Sequence, residues 1–313
     1  MAACHGHGTT LPPRGEGNAW RCAAEEAALD LAVAQRAMAP LLLLANDVFL
    51  ALEALATRPS GLGRRSVSLA VERAAGRYLR AIARSAPAMR RSAGRLLRHG
   101  TRVVTYSASA AVEEILRTAT SRRRRLEVLL SETRPAREGV PFAERLARGG
   151  IRVTLATDAA LPSSLDGASI LLVGADAISR EGVINKIGTS TLAEIASARK
   201  VPVVVAAGPE KFLPAALAAF IHDEDRSRRE IYRGKVQLLR VANPTFDFTP
   251  LQRVDRFVTA WGLLAREEVT ALLSGMKYSA RLQRRLVSRL GRPAARATPR
   301  RRAGRSRRSV RRR

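Results

Sequence analysis

The sequence is poor in several residue types, and each scarcity excludes a class of protein. Aromatic residues make up 4% of the 313 residues, and cysteine occurs only at Cys4 and Cys22. A disulfide-rich scaffold is therefore excluded, and both thiols are expected to be free in a reducing cytoplasm. No apolar run reaches about 18 residues, so we expect no membrane partner. No His/Cys cluster completes a four-ligand site, so we expect no metal and no cofactor.

Lysine is also scarce, although the chain is strongly basic. Only five of the 55 basic residues are lysines, and the formal net charge is +28. About half of that charge lies in residues 281–313, which contain 15 arginines and no acidic residue. Arginine alternating with Ser, Ala, Pro and Gly predicts a disordered cationic tail, which could bind RNA through its phosphates. The other interpretation is a solvated extension without a function.

The first hundred residues predict a disordered start and a helical domain. Residues 1–18 are rich in Gly, Pro and His and are expected to be disordered. The first residues also lack a basic start followed by an apolar stretch, so we expect no secretory signal. Residues 19–100 form the predicted helical domain, with helical patterns over 21–55, 66–82 and 87–97.

The pattern changes after residue 100, where short apolar runs alternate with helical stretches. The strand candidates are residues 102–106, 126–130, 151–157, 169–174, 201–207 and 235–242. Unbroken apolar strands joined by helices are typical of a parallel sheet that is covered on both faces. We therefore predict an α/β protein in which the helical domain is followed by a Rossmann-like parallel-sheet domain over residues 101–280.

Polar residues follow the first four predicted strands. They are Ser107 and Ser109 after the first strand, Arg134 after the second, Asp158 after the third and Asp176 after the fourth. Ligands of open α/β sheets bind beyond the C-terminal ends of the strands. Ser109 also fits a helix cap, and Asp158 also fits a turn. Their shared position nevertheless predicts a ligand site at one rim of the sheet.

The segment after the fourth strand carries the clearest binding pattern. Asn185 offers an amide, and Lys186 is one of the five lysines. Gly188 then precedes a predicted helix, and a helix N-terminus beside an ammonium group is a favourable anion site. We predict that Asn185, Lys186 and Gly188, together with Arg134, bind a phosphate group. A structural alternative is an ion pair between Lys186 and Asp176 that orders the loop.

Three segments carry a family resemblance. GADAI…GVINKIGT (174–189), ETRPAREG (132–139) and NPTFDFTPLQRVDRFVTAWGLLAREEV (243–269) resemble, in order and spacing, motifs of one family. That family unites the alpha, beta and delta regulatory subunits of eukaryotic translation initiation factor 2B with methylthioribose-1-phosphate and ribose-1,5-bisphosphate isomerases. The resemblance implies helices followed by a Rossmann-like domain, and a homodimer or higher oligomer formed through that domain.

The resemblance also assigns a chemistry to two positions of the predicted site. The isomerases convert an aldose 1-phosphate to a ketose phosphate with a cysteine after the first strand and the aspartate of the GAD motif, which is Asp176 here. Ser107 stands at the cysteine position, and Tyr106 replaces the usual histidine. The early Arg-Gly-Ala-Pro phosphate loop of the isomerases is not found. A serine hydroxyl is too weak an acid to replace a thiol unaided.

These differences favour ligand binding without turnover. The first hypothesis is a cytoplasmic, non-catalytic initiation factor 2B-like protein that binds a phosphorylated sugar or nucleotide through the retained Asn185 and Lys186. The second is an aldose-ketose isomerase in which Asp176 works with a partner other than cysteine. The third is an RNA-binding protein that acts through residues 281–313.

Overall fold

The computed structural model describes residues 17–57, 62–121, 125–221 and 226–293. The predicted disordered N-terminus lies outside the described residues except for its last two positions, which begin the first helix. The tail beyond residue 293 also lies outside them. Cys22 is disulfide-bonded, which corrects the expectation of a free thiol at this position.

The N-terminal region consists of helices, as its pattern predicts. They are α1 (Gly17–Ala34), α2 (Ala39–Ala56) and α3 (Arg64–Ala93). The second and third predicted helical stretches are one continuous helix, α3, which includes Pro87. Helix α2 is long and apolar enough to cross a membrane by length and composition alone. Half of it is buried inside the protein, however, as is common for a helix at the centre of a core.

The sheet region follows the predicted α/β pattern. Its strands are β1 (Arg102–Val104), β2 (Glu127–Ser131), β3 (Arg152–Ala156), β4 (Ile170–Val173), β5 (Ala177–Ile178), β6 (Gly182–Lys186), β7 (Val203–Ala206), β8 (Phe246–Pro250), β9 (Arg256–Thr259) and β10 (Gly262–Leu264). The main sheet has the order β10-β9-β7-β4-β1-β2-β3. It is parallel except for β10, which pairs antiparallel with β9. The predicted fold class is confirmed.

Helices cover both faces of this sheet. The covering helices are α4 (Ala110–Ser121), α5 (Gly139–Arg148), α6 (Thr189–Ala198) and α8 (Arg266–Gly275). Two more helices, α7 (Ala215–Ala218) and α9 (Ala280–Leu290), pack with the N-terminal helices instead. One face is packed by α4 and α5 through buried residues such as Leu116 and Phe142. The opposite face is packed by α6 and α8 through residues such as Leu192 and Leu273. The central strands β4 and β7 are therefore apolar on both sides because both sides are buried, whereas the edge strand β3 is largely exposed.

The predicted strand over residues 235–242 is wrong. These residues form an irregular and largely exposed loop, in which Leu238 is 97% exposed. Leu238 also has a φ of 65°, which an extended strand cannot accommodate. The neighbour of β7 in the sheet is β9 instead.

A second, antiparallel sheet lies beside the main sheet and holds two of the predicted site residues. It has the order β5-β6-β8. Its register places Asn185 opposite Asp247 and Lys186 opposite Phe246. Strands β6 and β8 come close at Gly182, where a Cβ atom would lie 2.4 Å from the carbonyl oxygen of Thr249 on β8. A glycine is required there to keep this register.

Residues 281–290 were predicted to lie in the disordered tail, and the structure corrects this prediction. They form most of α9, whose Leu282 and Leu286 are almost fully buried. The spacing of four residues between these leucines puts both on one helix face. The high arginine content of the segment conceals this apolar stripe. Arg281 on the same helix lies with its Nε atom 2.8 Å from both carboxylate oxygens of Glu25 on α1.

Removing the charge of Glu25 is expected to destabilise the protein by about 2–3 kcal/mol, because it leaves Arg281 without its counter-ion in a partly buried place. The carboxylate of Glu25 is 1% exposed. Chemical denaturation of Glu25→Gln measures the loss. Glu144→Gln is the control, since Glu144 and Arg148 pair at 2.9 Å while 53% and 76% exposed. The control is expected to lose less than about 1 kcal/mol. Equal losses would contradict a stabilising role of the α1–α9 contact.

Candidate ligand-binding site

Ser107 lies in the loop after β1 at the centre of a chain of polar contacts. It is 6% exposed. Its hydroxyl donates a hydrogen bond to Oε1 of Glu138, at 2.6 Å. The same oxygen lies 2.9 Å from Nζ of Lys186, whose side chain is 10% exposed. Lys186 therefore forms its ion pair with Glu138, at the start of α5, and not with Asp176 as the structural alternative proposed.

Asp176 follows β4 and lies beside a second lysine. Its Oδ1 atom is 3.9 Å from Nζ of Lys211, and both side chains are mostly buried. Burial raises the pKa of Asp176 above its usual range; the charges of Lys211 and Lys186 oppose the rise, and that of Glu138 adds to it. Asp176 can therefore hold a proton at a higher pH than an ordinary carboxyl group.

The N-terminal helices close over this rim. The backbone N–H of Ala39, at the start of α2, donates a hydrogen bond to the carbonyl oxygen of Asp176, at 3.1 Å. The segment that leads into α2 reads Arg36-Ala-Met-Ala-Pro40. The Nε atom of Arg36 is buried and has no hydrogen-bond partner among the described residues. This segment is one residue longer than Arg-Gly-Ala-Pro and lacks its glycine. Its arginine and proline are the features that it shares with Arg-Gly-Ala-Pro.

The N-terminus of α6, predicted to bind phosphate, is capped by a carboxylate of this protein. The backbone N–H groups of Gly188 and Ser190 donate to Oδ2 of Asp247, at 2.7 Å and 3.0 Å. The other oxygen, Oδ1, is buried and without a hydrogen-bond partner in the described part of the chain. Burial raises the pKa of Asp247 to about 6, although the two N–H donors oppose the rise. Phosphate binding by Gly188 stays a prediction.

The pKa of Asp247 gives a testable pH dependence. Its folded value of about 6 lies above the ordinary value of 3.8, so the folded state holds the proton more tightly than the unfolded state. The stability that this proton contributes is complete below about pH 4 and is lost as the pH rises through 6. We expect the free energy of unfolding of wild type, relative to Asp247→Asn, to fall by about 2–3 kcal/mol between pH 4 and 7. Urea denaturation of both proteins across this range measures it. A difference that is constant, or that rises with pH, would contradict the burial of this carboxylate.

The other predicted residues occupy the edge of the site. Arg134 has an exposed side chain, while its backbone N–H donates to the carboxylate of Asp158, at 2.7 Å. Asp158 thus orders the loop after β2. The Nδ2 atom of Asn185 donates to Oγ1 of Thr189, at 3.0 Å, so its amide supports the start of α6. Ser109 caps α4 by accepting a hydrogen bond from the backbone of Val112 at 3.4 Å, as its alternative interpretation proposed.

Sequence reasoning missed three charged residues of the rim. Glu138 and Asp247 lie inside segments that carry the resemblance, and Lys211 is one of the five lysines. In the sequence a cation can indicate a phosphate site, but the carboxylate that pairs with it gives no such signal. The sequence contained the residues, but only the folded chain brings Glu138 onto Lys186 and Asp247 onto Gly188.

The architecture and this rim define a class of protein. It is an α/β protein in which N-terminal helices cover a mostly parallel sheet whose strand ends carry buried lysines and carboxylates. The model of the Initiation factor 2 subunit family matches residues 36–266, which is well over half of the chain. The chain belongs to this family.

Individual relatives bear two kinds of name. The chain is 36% identical over 172 residues to the ribose 1,5-bisphosphate isomerase of Methanocaldococcus jannaschii, a match that covers 54% of this chain and 56% of that protein. The chain thus spans a little over half the length of such relatives. It is 29% identical to the translation initiation factor eIF-2B of Pyrococcus horikoshii, with a TM-score of 0.64 and coverage of 80% and 88%. The 5-methylthioribose 1-phosphate isomerase of P. horikoshii shares the fold, with a TM-score of 0.58 and 21% identity over 83% of each chain.

Proposed function

We propose that this protein binds a phosphorylated sugar or nucleotide at the rim of the sheet and does not turn it over. The observation that carries this proposal is that a serine, Ser107, occupies the position where the isomerases have a cysteine. Its hydroxyl donates at 2.6 Å to Glu138, and no thiol stands at this place. An aliphatic hydroxyl loses its proton far less readily than a thiol, so it cannot relay a proton at neutral pH unaided. Lys186, which is buried, and Lys211, which is mostly buried, are cations that could hold an anionic group.

The biological setting that we propose is that of an initiation factor 2B-like subunit in the cytoplasm. The structural likeness to the P. horikoshii eIF-2B protein supports this setting. We further propose that the protein forms a homodimer or higher oligomer through its sheet domain. RNA binding through residues 281–313 is less favoured, because Arg281, Arg285 and Arg289 are engaged in ion pairs with α1.

Thermal unfolding with a panel of ligands tests the binding proposal. Ribose 1,5-bisphosphate, methylthioribose 1-phosphate and AMP are the phosphorylated probes, and ribose is the matched control without phosphate. A ligand that binds only the folded state raises Tm, and the stabilisation grows with the logarithm of one plus the ratio of its concentration to Kd. We expect at least one phosphorylated probe to raise Tm while ribose leaves it unchanged. No shift with any phosphorylated probe up to millimolar concentration would overturn the proposal.

An isomerase is the second candidate, and the two carboxyl groups of the rim favour it. Burial raises the pKa of Asp176, whereas Glu138 is held beside the ammonium of Lys186. Carboxyl groups in two such different environments can act as acid and base in moving a proton between neighbouring carbons. The likeness to the M. jannaschii isomerase supports the same candidate. Ketose formation from ribose 1,5-bisphosphate that is abolished by Asp176→Asn would establish this activity and overturn the first proposal.

A further inference from the structure

Two of the positive elements that could hold a phosphate are already in direct contact with carboxylates of this protein, and the third, Lys211, lies 3.9 Å from Asp176. The ammonium of Lys186 lies 2.9 Å from Glu138. The N–H groups at the N-terminus of α6 donate to Asp247. An anionic ligand would meet not a vacant positive site but one whose charges are already neutralised. It could bind only by displacing a carboxylate or by accepting a carboxylate as its neighbour, which costs free energy.

The two carboxylates differ in how firmly they are held. Asp247 belongs to β8, where it pairs with Asn185 of β6, and it accepts two backbone hydrogen bonds. Glu138 lies in the loop before α5, and its side chain is 30% exposed. Its restraints are two side chains, the hydroxyl of Ser107 and the ammonium of Lys186. Glu138 is therefore held by side chains that can themselves move, whereas Asp247 is held by two fixed backbone donors.

We propose that Glu138 is an internal counter-ion that occupies the phosphate position on Lys186 and that an incoming ligand must displace. This inference rests on the proposed binding of a phosphorylated ligand and adds the residue that controls its affinity. The displaced carboxylate keeps its negative charge close to the phosphate, and the ligand must also break the hydrogen bond from Ser107. Both effects lower affinity, so Glu138 keeps the site closed to phosphate at low concentration.

Isothermal titration of Glu138→Gln against wild type tests this role, with ribose 1,5-bisphosphate and inorganic phosphate as probes. Glutamine keeps the size of the side chain and an oxygen that can accept from Ser107, but it carries no charge. We expect Kd for both probes to fall at least tenfold. Glu144→Gln removes the same charge from an exposed position of α5 and is expected to leave Kd unchanged. This control separates a local effect from a change in net charge.

The outcomes distinguish the inference from the proposal on which it rests. If wild type and Glu138→Gln bind with equal Kd, or the variant binds more weakly, then Glu138 does not compete with phosphate for Lys186. The proposal of ligand binding would be unaffected by that result. If neither protein binds either probe at millimolar concentration, both are overturned. Should Glu138→Gln fail to fold, Kd is measured for Ser107→Ala instead, because this variant removes one of the two restraints on Glu138. A fall in Kd of at least threefold is then expected, and an unchanged Kd would contradict the inference.

Discussion

Lys186→Met is expected to abolish the stabilisation of this protein by ribose 1,5-bisphosphate, with affinity falling about 100-fold. The ammonium of Lys186 lies at the rim between the carboxylate of Glu138 and the ring of Phe246, and the residue is 8% exposed. A charged hydrogen bond to phosphate at such a buried place contributes up to about 3 kcal/mol, which corresponds to roughly two powers of ten in Kd. Methionine keeps the apolar stem of lysine and removes the charge. Titration calorimetry measures the loss.

Two controls make this result specific. Lys235→Met removes a lysine from the exposed loop before β8 and is expected to leave Kd unchanged. The double variant Lys186→Met/Glu138→Gln removes both charges of the ion pair, so Glu138 is not left as an unpaired partly buried carboxylate that could disturb folding. We expect the double variant to fold and still to bind at least tenfold more weakly than wild type. Wild-type affinity in either Lys186 variant would show that the ligand does not use this ammonium.

Ser107→Cys combined with Glu138→Gln is expected to convert the protein into a slow aldose-ketose isomerase. A proton-relaying side chain accelerates such reactions by about 10² to 10⁴, so ketose formation should exceed that of wild type at least 100-fold. Ser107→Cys alone is expected to stay near the wild-type level. Glu138 contacts this position at 2.6 Å in wild type, and a neighbouring carboxylate disfavours the thiolate.

A discontinuous assay for ketose phosphate, run on wild type, both single variants and the double variant, measures this gain. Adding Asp176→Asn to the double variant is the control, because the reaction needs the second proton-handling group as well. A double variant that binds ribose 1,5-bisphosphate but produces no ketose would mean that the serine is not what prevents turnover. Turnover already present in wild type would contradict the non-catalytic proposal itself.

The sequence predicts the fold well where burial is uniform. Strands such as β4 and β7 are apolar at every position because helices cover both faces, and that pattern is visible without a structure. Prediction from the sequence fails where local composition and tertiary packing favour different structures. Residues 235–242 contain strand-forming residues, yet Leu238 adopts a left-handed backbone conformation on the surface. Residues 281–290 look like part of a disordered arginine-rich tail, yet Leu282 and Leu286 find an apolar surface near α1 and α2.

The candidate site was predictable in its members more than in its contacts. Ser107, Asp176 and Lys186 are predicted as site residues because they are polar and lie near the ends of strands. The structure brings all three to the same rim. The ion pairs differ from the one that the structural alternative proposed, since Lys186 pairs with Glu138 and Asp176 lies beside Lys211. Which carboxylate meets which lysine depends on the path of two loops that are distant in sequence, and no local pattern encodes it.

Binding without turnover is tested most directly by ³¹P NMR of ribose 1,5-bisphosphate with wild-type protein in molar excess. Under these conditions every ligand molecule can be bound, and even one turnover per site is visible. We expect the phosphate resonances to shift on binding and to remain those of the aldose throughout a long incubation. Resonances of a ketose phosphate that appear with wild type and vanish with Asp176→Asn would contradict this expectation. Unshifted resonances would show that the rim does not bind this ligand.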